Sequence, residues 1–101
     1  MNDRLKSLLG LARRAGKLAA GTADIEAALK KRKGFLLLLA EDAPGAQKKY
    51  LRWAGDLGIE TIIAGQKADL GRAIGLTPRA AVLILDQGFA RLILEARRRL
   101  E

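Results

Sequence analysis

Glu41, Asp42 and Asp86 are the side chains whose spacing could do chemistry: the first two close the apolar run Phe35 to Ala40, and the third closes Ala80 to Leu85. If those runs were parallel neighbouring strands, the three carboxylates would meet at the carboxyl edge of a sheet, where α/β proteins bind ligands. Oxygen-rich clusters of that kind hold magnesium. The plainer reading, and the one preferred, is that charge ends strands and opens helices, because helix starts select acidic residues. Little else in the chain offers catalysis. Cysteine and histidine are both absent, which removes disulfides, thiolate metal sites, a cysteine nucleophile and the commonest base near neutral pH. Ser7 is the only serine, and there is neither a glycine-rich dinucleotide fingerprint nor a Gly-Lys-Ser/Thr loop. The expectation is a protein that is not an enzyme and carries no metal and no cofactor.

Basic side chains dominate instead. The net charge of +8 is unevenly spread: residues 1–33 hold nine Lys or Arg against three acids, residues 34–86 hold six of each, and residues 87–101 hold four against two. Cations gathered toward the ends favour an anionic partner, since phosphates held by Lys and Arg release counterions. Taken alone, Lys30 to Lys33 read as a solvated last helical turn. Met1 to Gly16 mixes four cations with its leucines and does not read as a secretory signal, and the run Phe35 to Ala40 is too short to cross a bilayer. A cytoplasmic location and no membrane partner are expected.

These residues must be positioned by a core of Leu, Ile, Val and Ala, because half the chain is hydrophobic and only 4% is aromatic. Leu5, Leu8, Ala12 and Ala15 recur at helical spacing, which predicts an amphipathic helix over 3–15 ended by Gly16. A short strand at Lys17 to Ala20 follows, and Gly21-Thr22 opens a second helix from Ala23 to about Arg32, broken by Gly34. Phe35 to Ala40 lacks alternation, so it reads as a strand covered on both faces. Pro44 starts a third helix whose Ala46, Tyr50, Trp53 and Leu57 share a face, with Gly58 at its end. That register makes Tyr50 and Trp53 packing residues rather than a platform for bases. Thr61 to Ala64 is a third strand and Lys67 to Ile74 a short helix ended by Gly75. Leu76 to Arg79 form a loop, Ala80 to Leu85 a second fully buried strand, and Phe89, Leu92, Ile93 and Ala96 mark a last helix running into Arg97, Arg98 and Arg99. Alternating helices and strands in a chain this long predict a single domain, a three-layer α/β/α sandwich on a four-stranded mixed sheet.

Several of these stretches together resemble the L-seven-Ae ribosomal-protein family: Gly21-Thr22 before a basic helix, Leu37 to Asp42, Gly58-Ile59, and above all Lys67 to Gly75 with its Leu-Gly-Arg-Ala-x-Gly core. The leading Leu9 to Lys17 is similar to the bacterial YlxQ-type branch. The resemblance runs from about Lys17 to Leu94. It implies a protein that binds kink-turns, RNA bends built on tandem sheared G·A pairs, with the second helix's N-terminus in the widened groove and the loop before the last strand over an extruded base. Carried onto this chain, it points to Gly21, Thr22 and the amides of Ala23 and Asp24 as donors, to Lys67 as a basic contact, and to Leu76, Thr77, Pro78 and Arg79 as the covering loop. The loop's usual Arg-Pro order is Pro-Arg here. The family's signature of Asn-Glu followed three residues on by Lys is replaced by Ala23, Asp24 and Ala27, so kink-turn specificity is expected to be weakened or replaced.

Three readings compete at this point. In the first, Lys17, Lys30, Lys31, Lys67 and Arg79 hold phosphates of a ribosomal or other structured RNA while the Gly21 turn and the 76–79 loop read shape, with ribosomal or translation-related proteins as further partners. The second is a magnesium-dependent enzyme using Glu41, Asp42 and Asp86. The third is a protein-interaction adaptor on the same fold.

Overall fold

A computed structural model of the chain describes residues 1–98. The elements are α1 (Asp3–Arg14), β1 (Leu18–Ala19), α2 (Thr22–Lys30), β2 (Leu36–Leu39), α3 (Pro44–Leu57), β3 (Glu60–Ile63), α4 (Lys67–Ala73), β4 (Ala81–Ile84) and α5 (Gln87–Arg98). Arg99 lies outside the described residues. The strands form one sheet in the order β1-β4-β2-β3, with β2 parallel to β3 and β4 antiparallel to both β1 and β2.

The two unbroken apolar runs are the central strands, and their burial shows why they lack alternation. Leu36 and Leu38 pack with Leu5, Leu8 and Leu9 of α1, Leu70 of α4 and Ile93 of α5. Leu37 and Leu39 face the other way, against Ile25 and Leu29 of α2 and Tyr50 and Ala54 of α3. Val82 and Ile84 of β4 join the first layer and Ala81 and Leu83 the second. A sheet between α1/α4/α5 and α2/α3 is the expected α/β/α sandwich. All four leucines of β2 are fully buried, and each such side chain contributes roughly 1.5–3 kcal/mol relative to exposure. The edge strand β3 buries Ile62 but leaves Glu60 exposed on the same face and Ile63 exposed on the other, so it is covered less completely than the two central strands.

Three local expectations are corrected. The helix read as broken by Gly34 ends earlier: α2 stops at Lys30, and Arg32 takes the left-handed conformation at φ 56°. Gly34 serves packing instead, because a Cβ there would stand 2.6 Å from Leu83 Cδ1. Phe35, read as the first strand residue, precedes β2 and is exposed, and Leu92 likewise faces outward from α5. Gly58 does end α3, at φ 70° with its N–H donating to Ala54 and Gly55.

The topology also removes the carboxylate cluster. Because β2 and β4 are neighbours but antiparallel, Glu41 and Asp42 leave the sheet at one edge and Asp86 at the opposite edge. Two of these acids hold backbone in place. Asp42 Oδ1 accepts from the Lys67 N–H at 2.8 Å, and Asp86 Oδ2 accepts from the Phe89 N–H at 2.9 Å in the first turn of α5. The enzyme reading required the three to converge, so it fails. Among the described residues no helix is long and apolar enough to cross a membrane.

Candidate nucleic-acid interface

The carboxyl ends of β1, β2 and β3 and the amino end of β4 share one edge of the sheet. The connections that gather there are the Gly21 turn, the start of α3, the start of α4 and the loop 76–79. Ala20, Gly21 and Thr22, then Gly45, Ala46 and Lys49, then Pro78 and Arg79 line a groove of about 400 Å³ at this edge.

Two helices open onto that groove. Gly21 is the N-cap of α2 in an extended conformation, and Ala43 is the N-cap of α3; neither makes a side-chain capping bond. Helix N-termini present backbone N–H groups and the positive end of the helix dipole, a combination suited to phosphate. Lys49 adds a formal charge. Its Nζ lies 2.7 Å from Glu26 Oε2 and 5.3 Å from the centre of the Tyr50 ring. The hydrogen bond from Lys49 holds the Glu26 carboxyl below its ordinary value, and the same bond raises Lys49. Burial pushes the Tyr50 phenol up, so it stays a neutral hydroxyl.

The opposite wall depends on a close approach. Gly71 of α4 is buried, and a Cβ at this position would stand 2.2 Å from Thr77 O and 2.8 Å from Pro78 Cα. The glycine of the Leu-Gly-Arg stretch is therefore what lets the 76–79 loop lie on α4. Two backbone bonds fasten it, Leu76 N–H to Gly71 O at 2.8 Å and Arg79 N–H to Lys67 O at 3.0 Å. Arg79 folds back over the loop, with Nη1 donating to Thr77 Oγ1 at 2.7 Å and, more weakly, to the carbonyls of Thr77 and Pro78. Its Nε is buried without a protein acceptor, a state that costs about 1–3 kcal/mol unless something supplies one.

Of the residues singled out from sequence, Gly21, Thr22, Pro78 and Arg79 line the groove. Lys67 stands beside it through its bond to Arg79. Ala23, Asp24, Ala27 and Thr77 are exposed but are not part of its lining, whereas the half-buried Leu76 packs into the α1/α4/α5 layer. Lys30 and Lys31 lie at the far end of α2, roughly 12 Å of helix rise from Thr22. Lys17, whose carbonyl accepts from Leu85 N–H beyond the end of β4, is at that far edge too. The five cations read as one phosphate-holding set are thus split between two edges. Sequence reasoning missed Gly45, Ala46 and Lys49; the available signal was Pro44, which marks a helix start directly after a strand. Tyr50 is buried and stacks on Trp53 at 6.4 Å between ring centres, the packing role read from their spacing.

Known proteins share both the sequence pattern and the fold. The family model described as the ribosomal protein L7Ae/L30e/S12e/Gadd45 family matches residues 3–94. The chain is 36% identical over 84 residues to RNA-binding protein YlxQ of Bacillus subtilis, covering 82% of this chain and 84% of that protein. It is 27% identical over 90 residues to large ribosomal subunit protein eL8 of Thermoplasma volcanium, covering 87% of this chain and 74% of that one. Among solved structures, a Bacillus halodurans protein of unknown function superposes with a TM-score of 0.86 at 34% identity, over 93% of this chain and 96% of its own. A 15.5 kDa RNA-binding protein of Giardia lamblia shares the fold with a TM-score of 0.73 at 20% identity, over 94% of this chain and 86% of its own.

Proposed function

The chain belongs to the ribosomal protein L7Ae/L30e/S12e/Gadd45 family, and from that premise we propose that it is a cytoplasmic, ribosome-associated, RNA-binding domain that recognises kink-turn-like RNA. The observation that carries this reading is the convergence of two helix N-termini without side-chain caps, Lys49 and the Pro78-Arg79 wall on a single groove. The first-turn amides of α2 and α3 donate to phosphate oxygens. Lys49 and Lys67 neutralise neighbouring phosphates. The loop 76–79, pinned on Gly71, offers a fixed shape against which an extruded base can rest. Lys17, Lys30 and Lys31, at the far edge, reach only a more distant stretch of backbone.

Two of the family's polar positions are alanine here. Ala23 and Ala27 are both exposed on α2 and lie four residues apart, on one face of the helix. Neither donates a hydrogen bond to a base edge, and each missing contact of that kind removes about 1–3 kcal/mol of discrimination. Shape and phosphate contacts therefore carry most of the recognition. Binding to an intact kink-turn, to the same RNA with its G·A pairs disrupted and to a plain duplex, across a salt series, tests this. The expected result is a modest preference for the intact bend and a steep loss of affinity with salt. Tight, salt-insensitive binding, or none to any of the three, contradicts it.

Glu26 is the carboxylate that tempers this site through its pair with Lys49. Replacing Glu26 with glutamine frees the ammonium for phosphate and is expected to raise RNA affinity and steepen its salt dependence by about one counterion. Its lowered pKa keeps Glu26 ionised until acid is reached, and with no histidine in the chain affinity should be flat between about pH 6 and 9. In the wild type, protonation as the pH falls through the lowered Glu26 value should then raise affinity toward that of the variant. Filter binding of both proteins at several pH values reads both effects.

A further inference from the structure

On the α1/α4/α5 side of the sheet, Lys6, Arg13 and Arg14 of α1 and Arg72 of α4 flank a second groove, of about 760 Å³, with no carboxylate among the described residues of its lining. The sequence explains its shape. Lys6, Gly10, Arg13 and Arg14 recur at intervals of four, three and one, which places them along one side of α1. Gly10 lets α1 come close to α4, since a Cβ there would stand 3.2 Å from Ala73 O. Arg13 Nη1 donates to Ile74 O at 2.9 Å and bridges the two helices. Asp69 is held below its ordinary carboxyl value first by the Gln66 N–H, which donates to it at 2.8 Å, and then by the nearby positive charges that include Lys6 and Arg72. Arg14 and Arg72 remain exposed.

We propose that this groove seats the phosphodiester backbone of an RNA stem that continues beyond the first site, an inference that rests on the RNA-binding reading above. Continuity is the main argument. Gly75 lines the second groove, and Pro78 and Arg79, three and four residues on, line the first. Helix α4 spans the gap: Lys67 at its start touches Arg79, and Arg72 lies roughly 7.5 Å of helix rise further along. The charge fits the same ligand, because guanidinium groups match phosphate oxygens in pairs. With nearly twice the volume of the first groove, it suits a run of backbone rather than one anion. The exposed large apolar side chain in the lining is Leu11 alone among the described residues, which offers little anchorage to an acidic protein segment.

The test uses the full chain and its K6Q/R14Q/R72Q variant, leaving Arg13 in place because it holds α1 to α4. The probes are a kink-turn RNA with minimal stems and two versions with one stem or the other lengthened by a helical turn. Wild type is expected to gain several-fold in affinity from one of the extensions. The variant should bind the minimal RNA as wild type does, gain nothing from that extension, and show a salt slope lower by about two on the extended RNA. The single variant R14Q, which removes one exposed charge, should lose part of the gain and covers the case of a misfolded triple variant. Loss of binding to the minimal RNA by wild type would sink the first reading and this one with it. Intact minimal binding with an equal gain in wild type and variant, or no gain from either extension, would overturn this proposal alone. So would binding of polyglutamate that the variant loses while its RNA affinities stay unchanged, since the groove would then belong to an acidic protein.

Discussion

Substituting alanine for Gly71 is expected to lower the free energy of unfolding by about 2–3 kcal/mol, the cost of overpacking a site that cannot move aside. The sign is the informative part. In an ordinary helical position glycine is worse than alanine by roughly 0.5–1 kcal/mol, so the same change should stabilise. At Gly71 the new methyl would stand 2.2 Å from a backbone oxygen and 2.6 Å from the carbonyl carbon of Thr77. Those are main-chain atoms of the 76–79 loop, so they yield only if the loop lifts from α4. Lifting it breaks the Leu76 and Arg79 backbone bonds and opens the wall of the groove proposed to take RNA, so RNA affinity should fall with stability. Gly55 is the internal control: it lies within α3 with nothing inside 4 Å of an added Cβ, and Gly55→Ala should gain about 0.5–1 kcal/mol. Urea titrations of both variants, with unchanged slopes, read the two effects side by side. Equal stability of Gly71→Ala and wild type would show that the loop is not held against α4.

The second large effect is a gain. A23N/A27K puts an amide and an ammonium at exposed positions four residues apart on α2, clear of the core. Each restored base contact is worth about 1–3 kcal/mol of discrimination, so the double variant should prefer an intact kink-turn over its G·A-disrupted partner by roughly ten-fold or more beyond wild type. Duplex binding should rise only slightly, from the added charge. Competition binding between the two labelled RNAs measures the ratio directly. An equal rise for kink-turn and duplex would mean that α2 meets phosphates and not base edges.

The frame of the fold was legible in the chain because its determinants are local. Leu36 to Leu39 and Ala81 to Ile84 lack alternation, and their burial on both faces is the reason. The direction of pairing between them was not legible, since an apolar run looks the same whether its neighbour is parallel or antiparallel. That one unknown decided the fate of Glu41, Asp42 and Asp86, which the antiparallel pairing sends to opposite edges. The same arrangement divides the cations, leaving Lys30 and Lys31 far from Arg79. At the groove, Gly21, Thr22 and the 76–79 loop could be anticipated from their resemblance to a known pattern. Lys49 could not, because what marks it out from Lys48 is its pairing with Glu26 on α2, a contact 23 residues away in sequence that exists only once the two helices lie side by side. Gly71 stood inside the most specific stretch, yet its steric reason exists only once Thr77 and Pro78 fold back onto it.

The central claim is that RNA enters the groove between the N-termini of α2 and α3 and the loop 76–79. Titrating a kink-turn RNA into isotope-labelled protein and following the backbone amides tests it most directly. The largest changes are expected at Thr22, Ala23, Asp24, Gly45, Ala46, Thr77 and Arg79, reduced when a plain duplex replaces the bend. Changes absent from those amides, with RNA bound instead around Lys30, Lys31 and Lys17 or not bound at all, would contradict it.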